Sequence, residues 1–192
     1  MTFDLPLLSY ENKKSELISA LQKGADVNEQ NEGGYTALFC ACSFEYTNII
    51  SLLLQHKYIN VNLHNGSDGP LHTACANGKL ESVRLLLRDP RVNINLLRRD
   101  GWTPLMVAVH EGYYNVVRLL LAFGRKLDLD KRTVKEFYGN YENLVIKKDS
   151  NVLDIAQVTG PEAMISLLKE YLDNPLQTQF KIRAELNLQG SK

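Results

Sequence analysis

The sequence predicts an all-α solenoid of stacked helix–turn–helix units, with capping helices at both ends and an inserted β-hairpin-like loop. Three observations carry this reading. The segment from Asp100 to Leu121, DGWTPLMVAVHEGYYNVVRLLL, can be laid over earlier and later parts of the same chain. Leu105 within it lies 34 residues after Leu71, which lies 33 after Leu38. Every copy also orders the same local signals: a turn, a short apolar helix, a second turn, and a second helix with apolar positions at helical spacing.

Each signal has a physical job. In the cleanest copy Asp100-Gly101 makes a tight turn, Thr103 caps the helix, and Pro104 takes the first helical position, where a missing N–H costs nothing. Gly112 can adopt the left-handed conformation that ends this helix, and Asn115 to Leu121 carries the second one with Val116, Val117, Leu119, Leu120 and Leu121. The preceding copy, Gly66 to Leu87, reads Gly69-Pro70-Leu71-His72-Thr73-Ala74 and has Gly78 in its inter-helix turn. One copy earlier, Gly34-Tyr35-Thr36-Ala37-Leu38-Phe39 opens a helix and Asn48 to Leu54 forms the next. Departures mark weak points. Gly69 replaces the capping Thr, and Ala37 stands where Pro would preset the helix start. Glu45 occupies the inter-helix glycine position, where a left-handed conformation costs a residue with a Cβ about 1–2 kcal/mol. The unit holding Ala37 and Glu45 is therefore expected to open first, together with the caps.

The remaining elements follow in order. Residues 1–28 read as an N-terminal capping unit, in which Ser15 to Lys23 presents Leu17, Ile18 and Leu21 and a short companion helix holds Leu5, Leu7 and Leu8. Full units occupy 29–62, 63–95 and 96–128. The step from Leu105 to Leu153 is 48 residues, so the excess at 129–148 is an insertion. It has β-type residues on both sides of Gly139-Asn140, namely Thr133, Val134, Phe137 and Tyr138 before and Leu144, Val145 and Ile146 after, which predicts a hairpin; a loose loop is the alternative. Its removal is expected to spare the fold, because the flanking units keep their own helix signals and added loop length costs little. The last unit is 149–172. Residues 173–192 form a C-terminal capping helix and tail, with Asn174 as cap, Pro175 in the first turn, and Leu176, Phe180 and Ala184 expected to cover the last apolar edge. The tail is Gly190-Ser191-Lys192. All 192 residues read as one domain.

A period of about 33 residues with a Thr-Pro-Leu-His-x-Ala signature resembles the ankyrin repeat family. The resemblance runs from Gly24-Ala25-Asp26-Val27-Asn28 to Val152-Leu153-Asp154-Ile155-Ala156 and Gly160. It implies a structural, hydrogen-bonded role for His72. It also implies a non-enzymatic module that binds another protein through its turn tips and the concave face lined by first helices. The turn-tip residues are Tyr35, Asp68, Trp102 and Ser150, and the residues flanking the inter-helix turns include Phe44, Tyr46, Asn77, Lys79, Glu111 and Tyr113. The expected partner surface comprises Tyr35, Phe44, Tyr46, Asp68, Lys79, Arg98, Arg99, Trp102 and Tyr113. Tyr35, Trp102 and Tyr113 lie at its centre, and Trp102 is an exposed indole anchor of the type enriched in binding hot spots.

Composition narrows the alternatives. Basic and acidic residues both number 22, so no global field steers the chain to nucleic acid or an anionic membrane. From Lys79 to Lys126, however, nine bases face four acids. The rival readings are a regulatory or inhibitory adaptor subunit of an enzyme and, after it, a binder of an anionic ligand or nucleic acid through these basic middle repeats. The start lacks a basic region and a small-residue cleavage pattern, no apolar run approaches a membrane span, and the three cysteines are an odd number. An intracellular, cytoplasmic protein is expected, monomeric in isolation and with no membrane partner. Cys40, Cys42, His72 and Cys75 sit on packing positions of separate units, too far apart for one zinc ion. His72 and Cys75 lack an orienting acid and an oxyanion site, and Asp128 and Asp130 begin a calcium-type loop that Arg132 interrupts. No catalytic residue, cofactor or metal is expected.

Overall fold

The computed structural model describes residues 3–138 and 145–188 and divides into two compact units, one ending at Leu96 and one beginning at Leu97. The first unit contains α1 (Leu5–Tyr10), α2 (Lys14–Gln22), α3 (Ala37–Phe44), α4 (Thr47–Leu54), α5 (Pro70–Ala76) and α6 (Leu80–Arg88). First helices pack on first helices, α1 on α3 and α3 on α5, while α4 packs on α6. Leu5, Leu17, Leu38, Ile49, Ile50, Leu53 and Leu86 fill the space between the layers. The predicted all-α repeat architecture is what this unit shows.

Local signals act as their chemistry requires. Thr36 Oγ1 accepts from the Phe39 N–H at 3.0 Å, which caps α3. Where Gly69 leaves α5 without a side-chain cap, the Gly69 N–H donates instead to His72 Nδ1 at 3.4 Å, and the imidazole is buried. Glu45 does take the left-handed conformation, at φ 61°. Its carboxylate is put to use, since Oε1 accepts from the Glu81 N–H in the first turn of α6 at 2.8 Å. That capping bond offsets part of the backbone strain that the sequence alone suggests.

The loops are tied by a repeated asparagine device. Asn28 Oδ1 accepts from the Asn60 N–H at 2.7 Å and its amide donates to the Tyr58 carbonyl at 2.9 Å. Asn62 does the same one repeat on, accepting from Asn93 N–H at 2.7 Å and donating to the Arg91 carbonyl at 2.8 Å. Each side chain thus clamps the loop of the next repeat. Both bonds of Asn62 are solvent-exposed, so Asn62→Ala is expected to lower stability by about 1 kcal/mol, read as a shift of the urea midpoint at unchanged slope.

The second unit contains α7 (Pro104–His110), α8 (Tyr114–Ala122), β1 (Phe137–Tyr138), β2 (Val145–Ile146), α9 (Val152–Thr159), α10 (Glu162–Asp173) and α11 (Pro175–Glu185). Thr103 Oγ1 caps α7 through the Met106 N–H at 3.2 Å. Asn151 and Asp154 form a reciprocal capping box on α9, with the Asp154 N–H donating to Asn151 Oδ1 at 3.0 Å and the Asn151 N–H to Asp154 Oδ2 at 2.8 Å. The two strands pair antiparallel, Phe137 opposite Ile146 and Tyr138 opposite Val145. The predicted Gly139-Asn140 turn and Leu144 lie outside the described residues, as does the Gly190-Ser191-Lys192 tail.

Two expectations need correction here. The first is that the insertion can be removed without cost to the fold. Thr133 is buried, its N–H donates to the Ser150 carbonyl at 3.0 Å, its carbonyl accepts from Asp149 at 2.9 Å, and its hydroxyl lies 2.9 Å from the Lys147 carbonyl. Val134 N–H bonds the Asp100 carbonyl at 2.9 Å, and Ile146 is buried against α9. The segment covers core, which removes the premise that it can be cut without consequence. The second correction concerns α11. Leu176 and Phe180 are 80% and 73% exposed, and Ala184 is exposed too, so they do not cover the edge. The face that packs on α8 and α10 carries Thr178 and Ile182 instead. Thr178 is tolerated there because its hydroxyl reaches the Glu170 and Asn174 carbonyls at 3.0 and 2.9 Å.

All three cysteines are free and buried. Cys42 and Cys75 have no exposed surface, and burial pushes both thiols well above the ordinary value of 9.0. The folded chain therefore keeps these protons while the unfolded chain gives them up. Stability is whole below about pH 9 and falls as pH rises past it. Urea midpoints at pH 8 and pH 10 are expected to show this loss, and Cys42→Ala with Cys75→Ala to reduce it. In the native state both thiols are expected to label far more slowly with a disulfide reagent than after unfolding.

Candidate partner-binding site

In the first unit two of the expected surface residues, Tyr35 and Phe44, line a groove between α1 and α3, and Tyr46 stacks on Phe44. Asp4 opens α1 by accepting from the Leu7 N–H at 2.8 Å, and the buried Ser9 hydroxyl fixes α1 to α3 by donating to the Ala37 carbonyl at 2.7 Å. With Leu5 and Ser9 turned inward, Leu7 and Tyr10 are left on the outside. On α3, Leu38, Ala41 and Cys42 are fully buried or nearly so, while Phe39 and Phe44 reach the surface. The result is a groove of about 410 Å³.

Aromatic rings line it in contact with one another. Tyr35 stacks on Phe39 with centroids 4.7 Å apart, Tyr10 meets Phe44 edge-on at 5.1 Å, and Phe44 stacks on Tyr46 at 5.7 Å. Asn31 holds the Tyr35 turn by accepting from the Gly33 and Tyr35 N–H groups, both at 3.0 Å. Cys40 lies in the floor, and burial together with the nearby Asp4 carboxylate pushes its thiol up to about 11. Of the residues named from sequence, the structure thus brings Tyr35, Phe44 and Tyr46 together. Asp68 and Lys79, both half-buried, are not among the groove's lining residues.

Tyr10, Leu7, Phe39 and Asp4 were missed. A signal for them exists in the sequence: the segments LPLLSY and ALFCACSF are apolar all round, and a helix that buries only one face must present the remainder to solvent.

In the second unit the expectation for Trp102 is overturned. The indole is 3% exposed, enclosed by His110 at 5.0 Å and by Phe137 of the insertion at 4.7 Å, both edge-on. A segment more than thirty residues later closes over it. Trp102 is therefore part of the core of this unit and not an exposed anchor. Tyr113 is 38% exposed at the start of α8, Arg99 is exposed, and Arg98 is half-buried with its guanidinium 3.3 Å from Asp100.

Several of the basic residues are paired locally, although of their acidic partners only Glu185 lies outside the four acids already counted in that stretch. Arg84 pairs with Glu81 at 3.1 Å, Arg91 with Asp89 at 2.5 Å and also with the Leu54 carbonyl, and Arg118 with Glu185. Such pairs lower the field available to an anionic ligand. No group of three or more His, Cys, Asp or Glu is placed to hold a metal among the described residues, and no helix among them is long and apolar enough to cross a membrane.

Comparison with known proteins gives the family. The sequence pattern described as ankyrin repeats (3 copies) matches residues 7–97 and 68–133. Alpha-latrotoxin-Lh1a of Latrodectus hasselti is 32% identical over 133 residues, covering 69% of this chain and 10% of the toxin. The putative ankyrin repeat protein FPV223 of Fowlpox virus is 33% identical over 110 residues, 57% of this chain and 76% of its own length. Protein glp-1 of Caenorhabditis elegans is 35% identical over 127 residues, 64% of this chain and 10% of its own length. The chain spans about a tenth of the latrotoxins it matches. Taken with the repeated helix pairs, these matches establish that the chain belongs to the ankyrin repeat family, whose repeats generally serve as protein–protein interaction modules.

Proposed function

We propose that the chain is a non-enzymatic binding module that holds a partner protein in the groove between α1 and α3, with Tyr35 and Phe44 as anchors and Tyr46 extending the contact. The observation that carries this reading is the cluster of solvent-exposed, mutually packed aromatic rings. Tyr10 is 55% exposed, Phe44 44% and Tyr35 38%, and each is held in place by a neighbouring ring. Rings already fixed in the free protein lose little conformational entropy when a partner covers them. Asp68 and Lys79 in the first unit, and Tyr113, Arg98 and Arg99 in the second, are further candidate contacts. Trp102 acts only by supporting the fold. Three buried free thiols fit a reducing compartment.

Affinity purification from cell extract with wild type, Phe44→Ala and Tyr35→Ala, followed by mass spectrometry, tests the proposal. A partner retained by wild type and by the distant control Phe180→Ala, but lost with both groove variants, supports it. Equal retention by all variants refutes it.

A further inference from the structure

The groove carries a charge signature that its aromatic lining alone does not require. Among the described residues that line it, Asp4 is the only carboxylate and there is no Lys, Arg or His. Asp4 lines the groove and at the same time caps α1 by accepting from the Leu7 N–H at 2.8 Å. A second carboxylate, Glu29, lies 3.5 Å from the Leu5 N–H at the same end of α1. Among the described residues no ion pair reaches either acid, although Lys13 and Glu11 pair with each other at the opposite end of the helix at 2.8 Å. One end of the groove is therefore acidic, and the walls leading from it are the exposed faces of Tyr10, Phe44 and Tyr35.

We infer that the groove selects a peptide segment that carries a lysine or arginine beside apolar residues, the cation lying at the Asp4 end and the apolar side chains against the aromatic rings. This deepens the proposed function and rests on it. The physical grounds are complementary. A cation gains from a carboxylate that has no basic partner, and it gains again from ring faces whose quadrupoles present negative charge. The aliphatic stem of Lys or Arg meanwhile covers ring surface that water now wets. An acidic segment would meet repulsion at Asp4 and find no compensating base.

Asp4 offers an unusually clean test, because Asn caps a helix about as well as Asp does. Asp4→Asn removes the charge and keeps the hydrogen bond to Leu7. Panning a phage-displayed random dodecapeptide library on the full chain supplies the probe, and the best binder is then synthesised with a fluorophore. Its affinity is measured by anisotropy for wild type, Asp4→Asn, Phe44→Ala and Tyr35→Ala at two salt concentrations. The expected result is a pool enriched in Lys and Arg relative to the input library. Its best member loses about two- to fivefold on Asp4→Asn and about thirtyfold on Phe44→Ala, and binds more weakly in high salt. Replacing its basic residue with Glu is expected to weaken it further. If the binders are lost on Phe44→Ala but are neutral or acidic, or are indifferent to Asp4→Asn, the charge inference is overturned while the groove survives. If they ignore Phe44→Ala and Tyr35→Ala, or no peptide is enriched, the groove reading fails and the inference with it. Circular dichroism of each variant separates loss of binding from loss of fold.

Discussion

Trp102→Ala is expected to destabilise the second unit by about 3–5 kcal/mol, the range for emptying a core site of a large aromatic side chain. Trp102 occupies a turn, yet the change removes a side chain on which three separate parts of the chain meet. His110 comes from the end of α7, Phe137 from β1, and the turn itself from residues that Asp100 fixes by accepting from the Trp102 N–H at 3.2 Å. The void left would be lined by rigid groups: a helix end on one side and a strand on the other. It would not collapse cheaply. Since Trp102 is the only tryptophan, its fluorescence reports the site directly. Native emission is expected to be that of a buried indole and to move to the red in Phe137→Ala, which removes one wall and costs less than the loss of the indole. Denaturant unfolding of Trp102→Ala followed by circular dichroism measures the loss, and an unchanged midpoint would mean that the indole is not part of the core.

The same tryptophan shows where local sequence reasoning ends. Caps, turns and left-handed positions depend on residues within a few places of each other, and those were legible. Thr103 and Asn174 cap the helices expected of them, and Glu45 adopts the conformation that its place in the repeat demands. Burial depends on what comes to lie on top. Trp102 sits between Gly101 and Thr103, and nothing nearby in sequence announces that Phe137 will cover it. α11 fails for a related reason. Counting apolar residues every fourth position selects Leu176, Phe180 and Ala184, but the packed face includes a threonine whose hydroxyl is satisfied by helix carbonyls. A polar residue with an internal partner is invisible to a hydrophobic periodicity. In the groove the legible part was the turn-tip and helix-end aromatics. The segments holding Tyr10 and Phe39 are apolar all round and so signal an exposed face, but that these rings and Asp4 share one groove follows only from α1 lying against α3.

Gly101→Ala is expected to be far more damaging than Gly112→Ala, although both glycines occupy left-handed turns, at φ 84° and 75°. At Gly112 a Cβ meets nothing within 4 Å, so only the backbone preference is lost, about 1–2 kcal/mol. At Gly101 the same Cβ would lie 2.7 Å from the Arg132 carbonyl oxygen and 3.1 Å from the Val134 nitrogen. Those are backbone atoms of the insertion, anchored on either side of Thr133, and they cannot turn aside as a flexible side chain would. The methyl group must push the insertion off the turn. That movement strains the Val134 bond to the Asp100 carbonyl and the contact of Phe137 with Trp102. A loss of about 3 kcal/mol or more follows, combining backbone strain with overpacking. Urea titrations of the two variants measure the difference, and the red shift of Trp102 emission is expected in Gly101→Ala alone. A double-mutant cycle with Phe137→Ala identifies the cause. If the insertion is what the methyl displaces, the Gly101→Ala penalty shrinks once Phe137 no longer ties the strand to the indole. Equal penalties at Gly101 and Gly112, with no change in emission, would show that the insertion does not rest on this turn.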